Sequence, residues 1–200
     1  MRRLPQQQRG LERVERILQA AAEIFGESGF EGATTNLIAE RAKTSIGSLY
    51  QFFPNKQSIV DALAQRYAKT LSTTLMMQAT NEGQCDERLA MMIDVLFDFY
   101  LAHPGFRSLF FGCYEATQAQ ALEQKLHQPI AHPFALIIRE VQPQLSDADV
   151  QRDAELAVQH LVRLLHYCAS QDSSQHEIVL DKIKWLITFQ ICPELNKTGD

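Results

Sequence analysis

Almost every ordered stretch of this 200-residue chain repeats its apolar residues with the 3.6-residue period of a helix, and none alternates convincingly as a half-buried strand does. Such a chain is restricted to packed helices, because each helix buries one stripe and needs other helices to cover it. Apolar residues make up 46% of the sequence and charged ones 22%, enough for a core and too little charge for a disordered chain. No apolar run approaches the roughly 18 residues that cross a bilayer. Residues 1–10 hold basic side chains with no apolar stretch behind them, so no signal peptide is expected. The expectation is an all-α, cytoplasmic protein with no membrane partner.

The helix boundaries follow from caps and breakers. Val14, Ile17, Leu18, Ala21 and Phe25 share one face of the first helix, and Gly29 with Phe30 beyond it marks its end. Thr34-Thr35 opens a short second helix reaching about Ala42. Ser45 caps a third, which stops near Phe53 because Pro54 excludes the helical conformation from its predecessor. Asn55 caps a long fourth from Lys56 to about Thr80, with Ile59, Val60, Leu63, Ala64, Tyr67 and Leu71 facing inward. A long helix follows at about 87–102, a short one at 106–113 and a long one at 116–141, broken or kinked by Pro129 and Pro133. Ser146 and Asp149 form a capping box for a helix reaching Ser170, with a seam of Val150, Ala154, Ala157, Leu161, Leu164 and Cys168. Ser174 and Glu177 form a second box, opening a last helix to about Ile191.

Within this pattern, residues 34–56 stand out. Two helices of about eight residues joined by a tight turn have the dimensions of a helix-turn-helix. Leu37, Ile38, Ala42, Leu49 and Phe53 are placed to bury against the first helix, and Ala39 is small enough for the two short helices to cross closely. The outward face of the third helix then carries Ser45, Ile46, Ser48, Tyr50 and Gln51, with no charge. Hydroxyls there can bond a base edge or a phosphate, and Ile46 can cover a thymine methyl. Gly47 lets the backbone approach a duplex. Thr35 at a helix N-terminus suits a phosphate, and Lys56 in the first turn of the fourth helix opposes the dipole unless an anion lies opposite. Residues 1–70 carry three more basic than acidic side chains, whereas residues 71–200 carry eight more acidic than basic ones. Only one end of the chain is therefore suited to a polyanion. Arg2, Arg3 and Arg9 form either an arm toward DNA or a solvated tail.

The run Leu49-Tyr50-Gln51-Phe52-Phe53-Pro54-Asn55-Lys56, after Ser45-Ile46-Gly47-Ser48 and preceded by Thr34-Thr35 and Ala39, resembles the DNA-binding domain of the TetR family of bacterial repressors. The match covers about residues 12–70. The resemblance implies nine helices: a helix-turn-helix domain at residues 1–69 made of three helices and the start of a fourth, then a ligand-binding and dimerisation domain at 70–200. It implies a ligand cavity among helices four to seven, a homodimer through the last two long helices, and double-stranded operator DNA as partner. Thr35 and Tyr50 fall at phosphate-contacting positions, with Lys56 at the start of the connecting helix, and Asn36, Ser45, Ile46 and Ser48 fall within reach of bases. Lys43 departs from the glycine that the family often has in the turn. If that turn is left-handed, lysine costs on the order of 1 kcal/mol while offering an extra phosphate contact.

The second half is less informative. Met76, Met92, Leu96, Phe99, Tyr100, Phe110, Tyr114 and Phe134 suit either a pliable apolar pocket or plain core. The carbonyls of Lys125 and Pro129, freed by the two prolines, could face a ligand or simply accommodate a kink. Six histidines and four cysteines (Cys85, Cys113, Cys168 and Cys192) show no metal-ligand spacing, so no metal or cofactor is expected and the cysteines read as free, mostly buried thiols. No nucleophile–base pair, metal motif or phosphate loop supports an enzyme. The expected protein is a regulator, most simply a repressor that binds a palindromic operator as a dimer and is released by a small, largely apolar effector. A helical adaptor acting through the acidic body, and a regulator or activator with no ligand, stay open.

Overall fold

The computed structural model describes residues 6–111 and 116–192, without the side chains of 6, 7, 110–121, 123 and 124. The described residues form nine α-helices and no strand: α1 (Gln6–Gly32), α2 (Thr35–Arg41), α3 (Ile46–Phe52), α4 (Lys56–Ala79), α5 (Cys85–Ala102), α6 (Pro104–Phe111), α7 (Ala116–Val141), α8 (Asp147–Ser170) and α9 (His176–Ile191). A single 3-10 turn, Ser173–Gln175, precedes α9. The helices fall into two compact units. One holds residues up to Tyr67 together with His103–Glu123, and the other holds Ala68–Ala102 and the residues from Gln124 onward.

In the first unit α1 is the central post. Ile17, Leu18, Ala21, Ile24 and Phe25 are buried along it, while Val14 is only half-buried. At Gly29 the backbone leaves the helical region (φ 68°, ψ −178°), which a residue without a Cβ adopts at little cost. Phe30 then folds back, its ring stacked on Phe25 at 6.3 Å. Thr34 caps α2, its hydroxyl accepting from the Leu37 N–H, and Ser45 caps α3 in the same way through the Ser48 N–H. Ile38, Ala39, Ala42, Leu49 and Phe53 are buried as expected, but Leu37 is 42% exposed. Seven-residue α2 has room for one inward stripe, and Ile38 and Ala42 occupy it.

The turn between α2 and α3 is a two-bond helix stop. The Thr44 N–H reaches the Ala39 carbonyl and the Lys43 N–H reaches that of Glu40, both at 3.0 Å. The geometry needs a left-handed residue, and Lys43 takes it at φ 51°, the one positive φ outside glycine among the described residues.

The expected split between residues 69 and 70 leaves out a third partner of α1. Helix α6 lies on α1 so closely that a Cβ on Gly105 would stand 2.5 Å from the Ala22 carbonyl oxygen, and one on Gly26 would stand 2.7 Å from the Cβ of Pro104. Helix α5 ends at Ala102 as expected, and α6 starts at Pro104, two residues before the expected start near 106, so that Pro104 and Gly105 form this crossing. Tyr67 closes the unit, meeting the rings of His103 and Phe106 edge-on at 5.8 and 5.5 Å. Burial pushes its phenol up to about 12.

The second unit is a helical body in which α5 and α8 both pack with α9 and with each other. Arg88, 6% exposed, donates to the Ala79 carbonyl at 2.8 Å and to Glu140 at 2.5 Å, tying the end of α4 to α7. Helix α7 runs through Pro129 and Pro133 without a break. Ser146 and Asp149 cap α8 reciprocally. Along α8 the buried seam takes Leu165 rather than Leu164, which is half-buried. Before α9, Asp172 caps the 3-10 turn through the Ser174 N–H, and the expected Ser174–Glu177 box does not form. No described helix is long and apolar enough to cross a membrane.

Two substitutions separate strain from crowding in the first unit. Gly105→Ala forces a methyl into the backbone of α1 and should lower stability by about 3 kcal/mol. Lys43→Gly removes the left-handed penalty and should raise stability by about 0.5–1 kcal/mol, part of the relief being lost to the freer unfolded glycine. Urea unfolding midpoints read both, and a fall on Lys43→Gly would contradict the strained turn.

Candidate nucleic-acid interface

One patch of the first unit gathers most of the expected contact residues. Asn36 on α2, Lys43 in the turn, and Ser45, Ile46, Gly47, Tyr50 and Gln51 at the start and on the outer side of α3 are all exposed, while Thr35 and Ser48 are half-buried. Ile46 is 37% exposed and Tyr50 47%. Leaving an isoleucine and a tyrosine in water on a helix with this little polar surface has no packing benefit. By contrast Phe53 is buried and Phe52 half-buried, so these aromatic neighbours of Tyr50 serve the fold.

Hydrogen bonds organise the hydroxyls of this patch. Thr35 Oγ1 and Tyr50 Oη lie 3.1 Å apart, joining the start of α2 to the middle of α3. One of them donates and the other keeps its proton for an outside acceptor. Ser45 Oγ accepts from the Ser48 N–H at 3.2 Å, which leaves its own proton free to donate. Ser48 Oγ accepts from the Arg13 guanidinium on α1 at 3.0 Å. Arginine can only donate, so the Ser48 proton turns elsewhere and the hydroxyl becomes an oriented donor toward the patch. Sequence reading missed Arg13 because the pair is 35 residues apart, and nothing local marks it.

Gly47 sits in the first turn of α3, and a Cβ built on it would meet nothing within 4 Å. Its lack of a side chain answers no need of the folded chain. It costs helix stability of about 0.5–1 kcal/mol relative to alanine, and what it provides is a bare stretch of backbone on the outer face.

Lys56 behaves differently from the phosphate ligand expected of it. Its ammonium donates to the carbonyls of Phe30 at 2.6 Å and Ala33 at 3.0 Å, and lies 3.9 Å from the centre of the Phe30 ring. Those contacts explain a cation in the first turn of α4 without any anion outside. At the edge of α2, Arg41 makes a bidentate pair with Glu27 at 2.9 Å and touches Glu23 at 3.3 Å. The guanidinium beside Glu27 holds its carboxyl below the usual range. This cation too is engaged within the fold. Arg9 is exposed on the first turns of α1, whereas Arg2 and Arg3 lie outside the described residues.

The residues expected to line a ligand pocket are less clearly grouped. Met92, Leu96, Tyr100 and Phe134 are buried, Met76 and Phe99 are half-buried, and Tyr114 and the side chain of Phe110 lie outside the described residues. Tyr100 Oη and His166 Nδ1 are 2.5 Å apart, a polar contact in the second unit. A cleft of about 310 Å³ lies between α8 and α9, lined by His160, Arg163, Leu164, Leu186, Ile187 and Gln190, and none of the eight expected residues borders it. Among the described residues no group of three or more histidine, cysteine or acidic side chains could hold a metal ion.

Comparison with known proteins agrees with the helix-turn-helix and extends the likeness to the body. Residues 17–63 match the family model of bacterial regulatory proteins of the tetR family. Residues 83–195 match the tetracyclin repressor-like C-terminal domain. The chain is 26% identical over 119 residues to the nucleoid occlusion factor SlmA of Haemophilus influenzae, a match covering 58% of this chain and 55% of that protein. It is 32% identical over 95 residues to the HTH-type transcriptional regulator YvdT of Bacillus subtilis, covering 48% of this chain and 46% of that one. The chain thus spans about half the length of these curated relatives. Its fold is that of the regulator FadR from Bacillus subtilis, solved in complex with stearoyl-CoA, with a TM-score of 0.67 at 16% identity over 88% of this chain and 97% of that one. With both of its parts matched by family models, the chain belongs to the TetR family of bacterial regulatory proteins.

Proposed function

We propose that this protein is a cytoplasmic DNA-binding transcriptional regulator, a repressor that binds a palindromic operator as a homodimer and leaves it when a small, largely apolar effector binds. The observation that carries the reading is the face of α3: an uncharged, hydroxyl-bearing surface with exposed Ile46 and Tyr50 and a glycine that packs against nothing. Set in a major groove, Ile46 covers a thymine methyl and the oriented proton of Ser48 meets a base or phosphate acceptor. Thr35 and Tyr50 together hold a phosphate, Lys43 supplies charge, and Gly47 lets the backbone come close. Asn36, Ser45 and Gln51 complete the reach to base edges. Lys56 acts mainly by fixing the reader, with one of its three N–H donors left for the DNA backbone.

Dimerisation through α8 and α9 is supported by the apolar side chains these helices leave in water. Leu156, Tyr167, Ile178, Trp185, Leu186 and Phe189 are all at least 41% exposed. A patch of this kind on one pair of helices marks an interface, and a second copy would cover the cleft between α8 and α9. Two readers on a symmetric dimer bind half-sites about one helical turn apart or slightly more. For the effector, Met76, Met92, Leu96, Phe99, Tyr100 and Phe134 form an adaptable apolar wall, with Phe110 and Tyr114 as further candidates. The stearoyl-CoA held by FadR, a protein of the same fold, makes a long acyl chain the first class to test. Helix α4 contributes residues to both units and is the natural path for coupling. A reading without any ligand is tested by the same experiment.

Selection of random duplexes on the purified protein should recover a palindrome. On that operator, Tyr50→Ala should weaken binding about tenfold or more, on the scale of a lost charged-acceptor hydrogen bond. Gly47→Ala should stabilise the fold by about 0.5–1 kcal/mol yet weaken operator binding. Only weak, sequence-blind binding that vanishes with salt would overturn the reading. An acyl-CoA series should lower operator affinity by about 5- to 150-fold for the true effector, and equal affinities throughout would leave a regulator without that switch.

A further inference from the structure

The sulfurs of Cys85 and Cys192 lie 3.4 Å apart in the second unit, although 107 residues separate them in sequence. Cys85 is the first residue of α5 and is partly exposed, whereas Cys192 ends α9 and is 2% exposed. Both backbones are held in place nearby. The Gln142 side-chain amide donates to the Ile191 carbonyl at 2.8 Å, and Arg88, one turn into α5, is fixed to Ala79 and Glu140. A disulfide requires sulfurs at about 2.0 Å, so closure asks for little more than side-chain rotation and a small shift of one helix end. Cys168, buried on α8, has no such partner among the described residues and donates to the His176 carbonyl.

We propose that Cys85 and Cys192 form a reversible thiol switch, closed to a disulfide by a hydroperoxide and reopened by a dithiol. The partly exposed Cys85 meets the oxidant. Its thiolate attacks the peroxide, the O–O bond breaks, and a sulfenic acid forms at Cys85 while the second oxygen leaves as alcohol or water carrying the thiol proton. Cys192 Sγ then attacks the Cys85 sulfur, the S–O bond breaks, and the hydroxyl leaves as water with the Cys192 proton. Two electrons pass from the two thiols to one peroxide.

The order of events follows from the surroundings. Burial above all, then the contact with Cys85 and the nearby carboxylates of Asp86 and Glu140, pushes the Cys192 thiol up to about 12. Cys192 therefore waits as a thiol and acts as the resolving partner. The bond ties the end of α9 to the start of α5, so it changes the state of a helix that carries Trp185, Leu186 and Phe189 on its outer side. In a reducing compartment, where a permanent disulfide would not persist, such a pair senses oxidant.

The test uses the full chain, treated with hydrogen peroxide and then trapped with iodoacetamide. Before trapping, the expected product is lighter by two hydrogens (about 2 Da); it is monomeric on a non-reducing gel and yields one cross-linked peptide pair containing Cys85 and Cys192. Dithiothreitol restores the mass, and oxidised protein melts several degrees higher than reduced protein because the bond closes a long loop. Cys85→Ser and Cys192→Ser each abolish the product and the shift in melting, while Cys168→Ser and Cys113→Ser keep both. Alkylation of Cys85 and Cys192 themselves after treatment, over-oxidation of Cys85 alone, or cross-linking to Cys113 or another chain would each overturn the proposal.

Discussion

A single ammonium group holds the first unit at the place where its chain reverses. Lys56 Nζ sits on the carbonyls of Phe30 and Ala33 and against the face of the Phe30 ring. The dependence runs in both directions. Gly29 breaks α1 so that Phe30 can turn back onto Phe25, which aims the two carbonyls at Lys56. Lys56 then fixes the start of α4 directly after Pro54 and Asn55, where Asn55 Oδ1 accepts from the Ser58 N–H at 2.8 Å and Ser58 Oγ donates to the Asn55 carbonyl at 2.7 Å. Charged hydrogen bonds of this kind contribute about 1.5–3 kcal/mol each when partly shielded. Helix α3 has seven residues and could not persist alone in water. Its orientation is borrowed from Leu49 and Phe53 in the core, from the Asn55–Ser58 cap and from this joint.

Freed from structural duty, the outer side of α3 carries groups that the fold does not need. The Arg13 guanidinium orients Ser48, the Thr35–Tyr50 pair fixes two hydroxyls, and Gly47 leaves the backbone bare. The cations nearest this surface divide by role. Arg41 and Lys56 are bound within the fold, and Lys43 stands exposed in a strained turn. On the proposed reading, specificity comes from short hydroxyl and apolar side chains, with few charges to blur one sequence into another.

Local signals made the helix starts legible. Thr34, Ser45, Asn55 and Ser146 each bond the backbone N–H that a cap should bond, the Gly29 break was foreseeable from residue type, and the positive φ at Lys43 from the glycine that the family often has in that turn. What escaped depends on distance or phase. The packing of α6 on α1 joins residues some eighty positions apart, so nothing near Gly105 in sequence shows that Ala22 lies against it. Arg13 bonds Ser48 across 35 residues. Leu165 displaces Leu164 from the α8 seam because one residue is a 100° turn of the helix, finer than a stripe of apolar letters resolves. Asp172 preempts Ser174 as a cap by forming a 3-10 turn first. The effector stays illegible for another reason: Met92, Leu96, Tyr100 and Phe134 are the same residue types whether they line a cavity or fill a core.

The central claim is that the exposed face of α3 reads the sequence of a duplex. Its most direct test compares the binding preferences of the wild type and Ile46→Ala, each obtained by parallel selection from one random duplex library. Ile46 is 37% exposed and lies outside the buried core, so the variant should fold as before. The account predicts that the variant recovers the same half-site spacing but loses its preference for thymine at one position in each half-site. Identical preferences from the two proteins would contradict it, and the reading surface would have to be sought elsewhere on the chain.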